Sequence, residues 1–161
     1  MPKKLLSDIV FKEISPPDYK QNLDAKELAE VLVRRLGLKR KESRADHAKL
    51  LLELLKMKRE NIPCGIDLIA QWLGVSVSQA YEEIRKWRTL GLLEFVKIPT
   101  GVKKPLREKY QKGYMLTAST VNRLMDRVTS SINSFIRKTK RIAKDFDDQF
   151  MLEFVRKEKA V

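Results

Sequence analysis

The chain has 161 residues, 43% hydrophobic and 34% charged, which suits one domain, or a small domain with a long appended helix. Its one cysteine, Cys64, and one histidine, His47, exclude an intrachain disulfide and a four-ligand zinc site, and no apolar run reaches the roughly 18 residues of a membrane span. A formal charge of +13 points to polyanionic partners, of which nucleic acid is the commonest inside cells.

Residues 1–23 read as an irregular arm, because Pro16-Pro17 forbids a continuing helix even though Leu5, Ile9, Val10 and Phe11 are apolar enough to pack. No signal-peptide core is present, so an intracellular, cytoplasmic location is expected. Asp24 is a candidate cap for a helix to about Leu38, with Gly37 marking its end. Lys39-Arg40-Lys41-Glu42-Ser43 reads as a solvated connector, with phosphate contact as the alternative. The arm and this helix form a first segment, 1–43.

Ser43 could cap a helix from Arg44 to about Lys58, in which Ala48, Leu51, Leu52 and Leu55 form the buried face. His47, in its first turn, reads as a structural or surface histidine rather than a ligand. Cys64 reads as a small packing residue in the turn that follows. Ile66, Ile69, Ala70 and Leu73 then repeat at helical spacing up to Gly74. Ser76 or Ser78 can cap the next helix, where Ala80, Ile84 and Trp87 share one face and Ser78, Glu82, Arg85 and Thr89 the other. Glu82 and Glu83 would repel phosphates that a sequence-blind helix wants close. Gly91 ends the helix, and a hairpin follows as strand 93–98, loop 99–112 and strand 113–116. The loop holds Lys103, Lys104, Arg107, Lys109 and Lys112 against Glu108, while Tyr114 reads as a core residue. Residues 66–93 are neutral and residues 94–116 carry +4, so the positive charge lies beside the second helix rather than on it.

Leu73-Gly74-Val75-Ser76, Ala80-Tyr81, Ile84 and Gly91-Leu92-Leu93 fall at spacings that resemble winged helix-turn-helix transcription regulators, over residues 44–117. Trp87, where leucine is commoner, and a long wing loop depart from that pattern. The resemblance implies a mainly α fold with a small β-hairpin wing and a helix 77–90 that enters the major groove of double-stranded DNA. Ser76, Ser78, Gln79, Glu82, Arg85 and Lys86 would face the bases, while Lys103, Lys104, Arg107, Lys109 and Lys112 would hold backbone or minor groove.

The last segment, 118–161, reads as one long helix from Ala118 to about Lys157, capped by Thr117. Val121, Met125, Val128, Ile132, Phe135, Thr139, Ile142 and Phe146 advance in alternating steps of four and three, a coiled-coil seam expected to make a homodimer. After Phe146 the spacing shifts to 150 and 154, a stutter. The alternative is that this helix folds back on the chain's own N-terminal helix. No phosphate loop, nucleophile motif or carboxylate pair supports catalysis, and no cofactor or metal is expected. A small-molecule effector is compatible with such regulators, though no site for one is legible. The expected function is a homodimeric, sequence-specific transcription regulator located on the nucleoid. The alternatives are an architectural chromatin-type DNA-binding protein and a protein-interaction module of a larger complex.

Overall fold

The computed structural model describes residues 8–16, 22–40, 42–99 and 110–156. They form a mainly helical protein with one two-stranded antiparallel sheet and a long C-terminal helix. The order is α1 (Ala25–Arg35), α2 (His47–Arg59), α3 (Ile66–Leu73), α4 (Val77–Glu83), α5 (Arg85–Thr89), β1 (Leu93–Pro99), β2 (Tyr110–Leu116) and α6 (Val121–Phe150). Among the described residues no helix is long and apolar enough to cross a membrane.

Local chemistry sets the boundaries, and several differ from expectation. Asp24 caps α1, accepting from Glu27 N, but the helix stops at Arg35 because Gly37 N and Leu38 N turn back to Arg34 O and Val33 O. Asp46, not Ser43, caps α2 by accepting from Lys49 N, since the Ser43 hydroxyl is used elsewhere. Thr120, not Thr117, caps α6. The Thr117 hydroxyl instead donates to Gly91 O at 2.7 Å, tying the start of the last segment to the end of α5. The strands are longer than expected, pairing from Leu93↔Leu116 to Pro99↔Tyr110. Where the sequence stutters, residues Met151–Val155 take up one turn of π-helix.

Trp87 is fully buried and anchors the core, among Leu32 and Val33 of α1, Leu36 just beyond it, Leu51 of α2, Leu92, and Val121, Leu124 and Met125 of α6. On the far side, β2 lies between β1 and Cys64, whose N–H and C=O exchange hydrogen bonds with Tyr114 at 2.9 and 2.7 Å. That approach requires glycine at position 113, because a Cβ there would lie 2.7 Å from the Cys64 carbonyl oxygen. Burial pushes the Cys64 thiol up to about 11, in keeping with a packing role. Among the described residues of the arm, Ile9 packs against this core, and Lys12 N donates to Arg35 O at 3.0 Å.

Candidate nucleic-acid interface

Helices α3 and α4 meet across a three-residue turn. Gly74 adopts φ 72°, a left-handed conformation that any side chain would strain, and its N–H closes α3 on Ala70 and Gln71. Ser76 then caps α4, accepting from Gln79 N at 3.2 Å. The helix expected over 77–90 is interrupted at Ile84, but Ile84 N→Ala80 O and Arg88 N→Ile84 O, each 3.0 Å, carry the ladder across. Ala80, Ile84 and Trp87 face the core as the spacing predicts.

On the outer face Ser76, Ser78, Tyr81 and Glu82 are exposed, and Gln79, Arg85 and Lys86 are half-buried. Two candidates are not independent: Arg85 donates to Glu82 at 2.8 Å. An exposed pair of this kind contributes at most about 1 kcal/mol, so a base edge can compete for either partner. Gln79 borders a cleft of about 420 Å³ with Arg40, Glu42 and Ser43.

Glu83 corrects the sequence-based picture. It does not face outward with Glu82; it is 1% exposed and lies at the centre of a polar network. Arg40 donates to its Oε1 at 2.7 Å and the Ser43 hydroxyl does so at 2.9 Å. Trp87 Nε1–H donates to His47 Nδ1 at 3.0 Å, which leaves the ring proton on Nε2 to be donated to Glu83 Oε2 at 2.8 Å. Burial alone would raise the Glu83 carboxyl, but the hydrogen bonds from His47, Arg40 and Ser43 outweigh it and hold the group at about 2. Arg40 and Ser43, from the stretch read as a solvated connector, are therefore held to the inner side of α4. Long-range contacts of this sort leave no local signal in sequence. With Glu83 neutralised inside, the surface of the 66–93 unit carries three cations against two acids.

The hairpin adds a feature that sequence reading missed. Lys112 is a strand residue, not a loop residue, and sits directly opposite Lys97. Like charges placed opposite one another destabilise a ladder unless an anion lies across them. Two positions along the same face, Phe95 stands edge-on to Tyr114 at 5.2 Å, and the Arg88 guanidinium lies 5.6 Å from the Tyr114 ring. This face joins the end of the α4–α5 helix to the lysine pair. The alternation Phe95, Lys97 and Lys112, Tyr114 would have pointed to it had the register been known. Lys103, Lys104, Arg107 and Lys109 lie outside the described residues.

The expected dimerisation residues divide into two groups. Val121, Met125 and Val128 pack within the chain, together with Leu124, which the four-three seam passes over. Ser131 makes the last anchoring contact described for α6, its hydroxyl donating to Leu90 O at 3.1 Å. The spacing served the intrachain core first because these turns lie over Trp87. From Ile132 onward the seam stands clear, with Phe135, Ile142 and Phe146 exposed by 65, 70 and 64%.

Among the described residues no group of three or more His, Cys, Asp or Glu side chains is placed to hold a metal ion. Comparison with protein-family models, with curated proteins and with solved structures returns no match.

Proposed function

We propose that this protein is a homodimeric double-stranded DNA-binding protein of the winged helix-turn-helix type, acting as a sequence-specific transcription regulator. The observation that carries the reading is the α3–turn–α4 unit beside a hairpin whose helix-side face ends in the Lys97–Lys112 pair. A helix whose inner face is buried and whose outer face offers Ser78, Gln79, Glu82, Arg85 and Lys86 has the side chains for major-groove readout. Paired lysines beside it suit two backbone phosphates. The helix fixes sequence and the hairpin fixes register. Dimerisation is supported by the exposed phenylalanines of α6, which one copy leaves in solvent.

The test is an anisotropy titration of the full chain against random duplex and selected genomic fragments, at several salt concentrations. Strong preference for particular fragments is the expected result. Equal affinity for all sequences replaces the regulator with an architectural protein. No binding at moderate salt overturns the DNA reading in favour of a protein-interaction module.

A further inference from the structure

Beyond Ser131 the long helix carries two patterns at once. The first is apolar: Ile132, Phe135, Ile136, Ile142, Phe146 and Phe150 follow one side, all exposed. The second is charge. Residues 137–144 hold five cations and no acid, and residues 145–153 hold four acids and no cation. We infer that the second copy packs on this face in antiparallel orientation, with Phe135 against the partner's Phe146 and Thr139 against the partner's Ile142.

The inference rests on the homodimer proposed above and adds its orientation and register. A parallel pair in register would lay the basic stretch on its own copy and the acidic stretch on its own copy. Reversing one helix about residues 140 and 141 still leaves the basic stretch opposite itself, but it moves the acidic stretch off its own copy and onto the partner's uncharged residues 128–136. The flanking residues agree in detail. Lys138 and Asp145 are one heptad apart, so they occupy the same flank of the seam. In parallel coils that flank meets the other flank, here Ile136, Ala143 and Phe150, which offers no charge. In antiparallel coils it meets itself. The register that sets Phe135 on the partner's Phe146 brings Lys138 beside the partner's Asp145 twice by symmetry. On the opposite flank the same register sets Ile136 beside the partner's Ala143, a large residue against a small one. Thr139, the one polar member of the seam, enters satisfied, because its hydroxyl donates to Phe135 O at 2.8 Å.

The functional consequence is spacing. The two-fold axis falls near residues 140 and 141, so the reading units stand at opposite ends of a rod. Their Leu124 anchors are then about 50 Å apart at ~1.5 Å per residue. One turn of DNA advances ~34–36 Å, so two half-sites on one duplex would lie more than a single turn apart.

Spin labels on Ser130→Cys, Arg141→Cys and Arg156→Cys test this by pulsed dipolar spectroscopy on the full-length dimer. Cys64 is 1% exposed and stays unlabelled. The expected result is the shortest distance at 141, with axial separations of ~32 Å at 130 and ~46 Å at 156. Equal short distances at all three positions mean a parallel pair and overturn the inference. A minimum away from 141 overturns the register. A monomeric mass by light scattering at micromolar concentration defeats the dimer itself, an outcome distinct from either.

Discussion

Replacing Glu83 by glutamine isolates the contribution of the buried network to the fold that presents α4. The carboxyl sits at about 2 in the folded protein against an ordinary value of 4.5. A depressed carboxylate stabilises the fold above its unfolded pKa, and that stability is lost as pH falls toward the folded pKa. The difference corresponds to about 3 kcal/mol at neutral pH, fully present above roughly pH 5. By about pH 3 some 2 kcal/mol of it is gone. Glutamine keeps an acceptor for His47 Nε2–H but cannot titrate, and it leaves the Arg40 guanidinium without its counter-charge. Urea unfolding of both proteins at about pH 5 and about pH 3 reads the effect. The wild type should lose about 2 kcal/mol more than Glu83→Gln over that interval, while Glu83→Gln should already be the less stable at pH 5. Parallel losses in the two proteins would refute the assignment of Glu83 as a buried anionic hub.

Three further outcomes follow from the same geometry. Gln79→Ala and Arg85→Ala should each relax preference at particular base positions by about 1–3 kcal/mol, read by binding to single-base operator variants. Lys97→Ala combined with Lys112→Ala should weaken specific and random DNA about equally. It should also make the slope of log K against log salt shallower by up to about 2, at ~0.9 for each phosphate released. Gly113→Ala should lower stability to urea by about 1–3 kcal/mol, because the atoms nearest its Cβ are the Cys64 backbone O, C and N at 2.7–2.8 Å, which cannot rotate away. Gly65→Ala, with no atom within 4 Å of the new methyl, is the control.

Much of the architecture was written in local pattern. Gly74 after Leu73 located the turn through bonds within four residues, while the cap stood between Ser76 and Ser78 until the structure assigned it to Ser76. The inward set Ala80, Ile84 and Trp87 followed from helical geometry alone, and Tyr114 was read as a core residue of the strand, where it is buried. Choices among near-equivalent local options needed the fold. Ser43 and Asp46 are both good caps, as are Thr117 and Thr120, and each was decided by what else its hydroxyl or carboxylate could reach. Glu83 looks like its neighbour Glu82 in sequence. Only packing brings Arg40, Ser43, His47 and Trp87 around it from up to 43 residues away, and so turns a surface acid into an internal one. The Lys97–Lys112 pair likewise depends on a register that composition does not specify. The seam of α6 was legible as a repeat, but a repeat does not name what it packs on. Its first turns are claimed by the core around Trp87 because they lie above it, while the turns beyond Ser131 extend past the domain and leave their apolar face exposed in the single chain.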